Sequence, residues 1–96
     1  MISYPGLALV SFIPGRVRVR VEKLRHNARF AQQIQRSLTA IPVIHSVETK
    51  TDTGSVLIRY DHSLVKERHN VELLLTALKS LLPEIDVDKI RAFIKK

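Results

Sequence analysis

The stretch Pro14-Gly15-Arg16-Val17-Arg18-Val19-Arg20-Val21 alternates strictly between arginine and valine after its Pro-Gly pair. Successive side chains of a β-strand point to opposite faces of a sheet, so this pattern predicts a strand with valines inward and arginines outward. Like charges on one face repel each other unless solvent, an acidic neighbour or an anionic partner compensates. The stretch therefore predicts both a half-buried strand and a basic sheet face.

The composition limits the size and class of the protein. With 96 residues, the chain is long enough for one domain with a two-layer core. Its 16 Lys and Arg and 9 Asp and Glu give a formal net charge of +7, which favours anionic partners such as nucleic acid, an anionic membrane surface or an acidic protein. The absence of cysteine excludes disulfides, thiolate metal sites and cysteine nucleophiles. The apolar stretch 7–13 is too short to span a bilayer, so we expect a cytoplasmic protein without an integral membrane segment.

Apolar spacing and turn residues predict the first half of the fold. We expect a flexible lead-in over residues 1–6, then an extended stretch 7–13 that Pro14-Gly15 kinks into the arginine strand. Asn27 is a plausible N-cap, and a helix ended by Pro42 is indicated by apolar residues at helical spacing: Phe30, Ala31, Ile34, Leu38 and Ile41. Residues 43–50 and 55–60, with turn residues between them, predict a β-hairpin.

The second half predicts a further helix, an edge strand and a terminal helix. We expect Asn70 to cap a helix whose apolar stripe Pro83 closes: Val71, Leu74, Leu75, Leu78 and Leu82. Ile85 and Val87 alternate with acidic residues, which suggests a short strand, and residues 88–96 suggest a basic C-terminal helix. The order βαββαβ over a single domain, 1–96, predicts an α+β ferredoxin-like sandwich: a four-stranded antiparallel sheet with two helices on one face.

In that topology the arginine strand lies beside strand 55–60, and the opposite sheet face stays open. We predict on it a surface that docks an acidic protein partner or another anion, formed by Arg16, Arg18, Arg20, Arg25, Lys50 and Arg59. Outward arginines on one strand lie about 7 Å apart, which suits several carboxylates or phosphates better than one small anion. A solvated face balanced by Glu48 is the alternative.

Three segments, in order, resemble the heavy-metal-associated domain family, relatives of copper chaperones and of amino-terminal modules of metal-transporting P-type ATPases. They are Phe12-Ile13-Pro14-Gly15-Arg16-Val17-Arg18-Val19-Arg20, Ile41-Pro42-Val43-Ile44-His45-Ser46-Val47 and Thr53-Gly54-Ser55-Val56-Leu57-Ile58-Arg59-Tyr60-Asp61. The resemblance implies a ferredoxin-like binding module associated with metal transport. Metal-binding members carry Cys-x-x-Cys after the first strand, where this chain has Lys23-Leu24-Arg25-His26-Asn27. It therefore resembles a cysteine-less branch, and the thiolate ligands carry over to no residue.

The second functional hypothesis is a metal- or haem-handling protein. Its ligands would be histidines and carboxylates, with His26 and His45 among them. The histidines do not show converging spacing, so we expect no cofactor. The expected central strands lack the stacking aromatics that read bases, so specific recognition of RNA is not expected. Nonspecific contact with nucleic acid phosphates stays open as an alternative. No nucleophile–base pair or phosphate-binding glycine loop is visible, which predicts a non-enzymatic protein. Apolar residues in 7–13 and 90–94 leave a homo-oligomer open.

Overall fold

The computed structural model describes residues 3–4 and 6–94, with side chains described from residue 6 to residue 92. Five strands form one antiparallel sheet in the order β1-β2-β3-β5-β4, with the helices packed against one face. The elements are β1 Ser3–Tyr4, β2 Leu7–Ile13, β3 Arg16–Val21, α1 Ala28–Thr39, β4 Ile44–Lys50, β5 Ser55–Tyr60, α2 Arg68–Leu81 and α3 Val87–Ile94. The predicted α+β ferredoxin-like class is confirmed.

Strands β2 and β3 form a hairpin, and the prediction of one strand kinked at Pro14-Gly15 is wrong. Ile13 pairs with Arg16, so the Pro-Gly pair is a two-residue turn. Gly15 has a φ of +88°, and proline followed by a glycine of positive φ is the combination that a type II turn requires. The reversal places β2 beside β3, and the two-residue β1 follows it at the edge of the sheet.

The predicted strand around Ile85 and Val87 is also wrong. The Asp86 side chain accepts hydrogen bonds from the backbone N–H of Asp88 at 3.1 Å and of Lys89 at 3.3 Å, so Asp86 caps α3. The edge beside β3, which a last strand occupies in the βαββαβ order, is already taken by β2. The four long strands thus keep the expected sheet, but the N-terminal stretch supplies the edge strand.

The two long helices differ in how they begin. Asn27 caps α1 as predicted, since its Oδ1 accepts from the backbone N–H of Phe30 at 3.0 Å. Asn70 does not cap α2, which begins at Arg68. It lies inside the first turn, is buried, and donates from Nδ2 to the Leu64 carbonyl oxygen at 2.9 Å. This bond ties the segment after β5 to the helix.

The chain ends match the predictions only partly. Ser3–Tyr4 of the segment predicted as a lead-in pair with Ala8 and Leu7 of β2, while Met1, Ile2 and Pro5 lie outside the described residues. The predicted C-terminal helix is present as α3, and Lys95 and Lys96 lie outside the described residues. Arg91 attaches α3 to α2 through Glu72, with Nη2 and Oε1 2.9 Å apart.

The helical layer covers the sheet unevenly. Helix α1 packs directly on β4, whereas α2 packs mainly against α1 and α3. Much of the core lies under α1 and in the turn before it, at Leu24, Phe30, Ile34, Leu38, Val47 and Val56, while α2 contributes the buried Val71 and Leu75. Between the inner face of β2 and β3 and the second helix lies a cavity of about 480 Å³ with an almost wholly apolar lining.

Asp61 should make the stability of the fold fall at acidic pH. Its Oδ1 accepts bonds from the Ser63 hydroxyl at 2.7 Å and from the backbone N–H groups of Ser63 and Leu64, which lower the pKa of this carboxyl below 3.8. The unfolded chain then binds more protons, so this stabilisation is complete above the unfolded pKa and is lost as pH falls through the folded one.

We expect Asp61→Asn to flatten the rise of Tm between about pH 2 and pH 5, measured by circular dichroism. Glu84→Gln, which removes a carboxylate without a hydrogen bond to another described residue, serves as control. Equal flattening in both variants would contradict a specific role for Asp61.

Candidate docking surface

The sheet face turned away from the helices, named the open face here, is organised in three cross-strand rows. Each row takes one residue from β4, one from β5 and one from β3. The rows are Lys50-Ser55-Arg20, Glu48-Leu57-Arg18 and Ser46-Arg59-Arg16. Directly opposite side chains in such rows are about 5 Å apart at Cβ. The register therefore brings the predicted residues of β3, β4 and β5 onto one continuous surface.

Positive charge dominates this surface. Arg16 and Arg59 are paired residues, so two guanidinium groups start from opposite positions on neighbouring strands. Like charges directly opposite each other destabilise a sheet. The face carries one carboxylate among its described residues, that of Glu48, whose Oε1 lies 3.8 Å from Nη1 of Arg59. At that distance and exposure an ion pair contributes little.

The arginines of β3 have no such compensation. Within the described part of the chain, no ion pair or hydrogen bond joins the side chains of Arg16, Arg18 or Arg20 to another residue. Arg16 and Arg20 are exposed, and Arg18 is half-buried. The alternative of a face balanced by Glu48 accounts for Arg59 alone.

Leu57 shows how the charged side chains lie on the sheet. It points to the open face, between Arg18 and Glu48, yet is only 6% exposed. No helix in the described part of the chain covers that face, so neighbouring side chains must shield Leu57. Long arginine stems can cover apolar surface while the guanidinium groups stay in water. The central row thus has a shielded leucine between two charged side chains.

Arg25 lies at the end of the sheet rather than on the open face. The chain leaves β3 through a 3₁₀ turn, Glu22–Leu24, and His26 has a φ of 55°. The His26 N–H donates to the Thr51 carbonyl at 2.8 Å, which holds the segment against the β4–β5 turn. This turn joins Lys50 to Ser55, and Ser55 pairs with Arg20. Arg25 therefore extends the basic surface beyond the row Lys50-Ser55-Arg20.

The structure places His26 and His45 at opposite ends of one strand. His26 lies at the end of β4 through its bond to Thr51, whereas His45 lies at the start of the same strand. Seven residues of strand span roughly 20 Å, too far for one ion. The described residues contain no cluster of three potential His, Cys, Asp or Glu ligands. The donor set therefore does not fit the thiolate metal site of metal-binding relatives.

Sequence reasoning missed the apolar border of the open face. Ile13 pairs with Arg16 and is 55% exposed, and Val10, at an irregularity in the β2–β3 pairing, is 45% exposed. The Pro-Gly pair, interpreted as a two-residue turn, is the signal that would have placed both on an adjacent strand.

Fold and surface together define the class: a small ferredoxin-like domain whose features are those of a binding module. Residues 3–94 match the family described as heavy metal associated domain 2, and the chain belongs to that family. No curated protein and no solved structure gave a significant match.

Family membership makes the chain a metal-associated type of binding module. Domains of this kind generally act as binding or adaptor modules rather than enzymes, and they often mediate protein interactions. Among the described residues, no helix has the length and apolar character needed to cross a membrane.

Proposed function

We propose that the protein is a non-enzymatic adaptor domain whose open face docks an acidic protein partner. The observation that carries this proposal is the register that sets Arg16 opposite Arg59 beside two further arginines of β3 with no partner among the described residues. An anionic partner would relieve the repulsion within this arrangement and receive fork-shaped guanidinium donors. Lys50 and Arg25 would contribute at one end.

A protein fits this surface better than a nucleic acid does. Base recognition from an open sheet depends on aromatic side chains that stack on bases. The three rows hold none, and the open face instead offers Leu57 and the exposed Ile13 among its cations. An extended segment with alternating acidic residues places its carboxylates about 7 Å apart, which matches the arginine spacing along β3.

The proposal is tested by fluorescence anisotropy with a labelled peptide of six Glu-Thr repeats. We expect the purified protein to bind it at low ionic strength and to lose at least about tenfold in affinity between roughly 50 and 500 mM salt, because exposed charges are screened. A peptide with Gln in place of each Glu should not bind measurably. Oligothymidylate of the same length is the competing probe.

Two outcomes contradict the proposal. Tighter binding of the oligothymidylate than of the acidic peptide would favour nucleic acid as the partner. Equal binding of the Glu and Gln peptides would show that the arginines are not the recognition element.

A further inference from the structure

The cavity on the helical side of the sheet has its own chemistry, separate from the open face. Its walls come from the inner face of β2 and β3 and from α1, α2 and the segment before α3. Side chains of a core type remain only half-buried along it: Leu9, Val17, Val19, Leu74, Leu78 and Leu82. Their apolar groups offer water no hydrogen bonds, so an apolar occupant binds there better than water. The volume of about 480 Å³ lies in the range of small-molecule sites.

The polar lining of the cavity is confined to one end. Tyr60, His62 and Lys66 all come from the end of β5 and the segment after it. That end adjoins the β2–β3 turn: the Tyr60 N–H donates to the Gly15 carbonyl at 3.0 Å, and the Cβ of His62 lies 4.0 Å from where a Cβ on Gly15 would lie.

The other end of the cavity is apolar. Leu7 of β2, Leu82 after α2 and Ile85 before α3 line it. The site is therefore amphipathic along its length, with a basic group at one end and hydrocarbon elsewhere.

We propose that this cavity binds a single-chain amphiphile with an acidic head, of the long-chain fatty acid type. The hydrocarbon chain would lie between the β2–β3 inner face and α2, and the carboxylate would meet Lys66 and His62. Charge complementarity selects an acidic head, since Lys66 is the charged side chain in the described lining. Polar groups line only one end of the cavity, which selects one polar head group rather than a molecule that is polar throughout.

The first test measures binding of saturated fatty acids of 10 to about 18 carbons by displacement of cis-parinaric acid from the delipidated full-length chain. We expect saturable one-to-one binding, with Kd falling by about fourfold per added methylene until the cavity is full. Affinity should then level off. No saturable binding below the critical micelle concentration would overturn the proposal.

A pair of tryptophan variants tests the location. Leu78→Trp places a larger side chain in the cavity wall and should weaken binding by at least about tenfold, because the indole occupies the ligand volume. Leu64→Trp is the matched control, since Leu64 is 41% exposed and lies outside the lining. Circular dichroism verifies that both fold. Equal affinity in the two variants would overturn the proposal.

A charge reversal tests the head group without altering the apolar walls. Lys66→Glu should weaken binding of the fatty acid by at least about tenfold and leave binding of the alcohol of equal chain length within about twofold. Lys89→Glu, on an exposed position outside the lining, should change neither. Parallel losses for acid and alcohol would contradict recognition of an acidic head.

A second copy of the chain is the competing occupant. Analytical ultracentrifugation of the delipidated protein distinguishes it: a dimer that Leu78→Trp dissociates, with no lipid binding by either form, would assign the cavity to self-association and overturn the proposal. A monomer that binds fatty acid supports it.

Discussion

Replacing Arg16, Arg18 and Arg20 together by serine is expected to weaken binding of the Glu-Thr peptide by about 100-fold at low ionic strength. Each exposed guanidinium–carboxylate contact contributes about 1 kcal/mol, and three such contacts correspond to roughly two powers of ten in Kd. The variant should also lose most of its salt dependence, because fewer charge contacts remain to be screened. Anisotropy titrations at several ionic strengths measure both effects.

The matched control removes the same charge from the other side of the molecule. Arg29 and Arg36 of α1 and Arg68 of α2 are exposed residues of the helical layer. Their triple serine variant has the same net charge as the sheet variant, so it should weaken binding by less than about threefold through the long-range field alone. Similar losses in the two variants would show that net charge, and not the open face, attracts the peptide.

Thermal unfolding separates loss of binding from loss of structure in the sheet variant. Arg16 faces Arg59 across the β3–β5 pair, so serine at position 16 removes a like-charge contact. We therefore expect the Tm of the sheet variant to equal or exceed that of the unaltered protein. A marked fall in Tm would mean that the arginine stems over Leu57 stabilise the sheet more than their charges destabilise it.

Alternation and apolar spacing were sufficient to predict most of the fold. The hairpin of β4 and β5 and helix α1 with its Asn27 cap follow from local patterns with a clear period. The pairing of β3 with β5 follows from the βαββαβ order of the elements. The edge strand was misassigned because strand pairing is a tertiary property. Ile85 and Val87 alternate as a strand would, but the Asp86 cap and the prior occupation of the edge by β2 decide for a helix.

The candidate surface was predictable for the same reason that the sheet was. Alternation along β3 assigns Arg16, Arg18 and Arg20 to one face. The pairing of Arg16 with Arg59 places Arg59 on the same face. The border at Ile13 depends on the hairpin turn, and the cavity depends on how far α2 stands from the sheet. Helix-to-sheet spacing depends on side-chain packing between distant segments, which no local pattern records.

Gly54→Ala is expected to lower the free energy of unfolding by about 3 kcal/mol. Gly54 has a φ of +77°, which costs a residue with a Cβ roughly 1 kcal/mol. A Cβ there would also lie 2.7 Å from the Val21 carbonyl oxygen and 2.8 Å from Cγ of Arg25. Relieving the first contact moves the end of β3 away from the turn. This movement stretches the hydrogen bond that the Val21 N–H donates to the Gly54 carbonyl at 2.7 Å. Weakening this buried bond adds about 1–3 kcal/mol.

Gly6→Ala isolates the part of that cost that comes from the backbone conformation. Gly6 has a nearly equal φ of +80°, but among the residues with described side chains a Cβ there would meet only the Cβ of Glu22, at 3.8 Å. We expect its loss in urea unfolding to be about 1 kcal/mol, so the difference between the variants measures the close approach at Gly54. Equal losses would show that backbone conformation accounts for the whole effect. A larger loss at Gly54 would show that its close contacts with Val21 and Arg25 add to the cost of the backbone conformation.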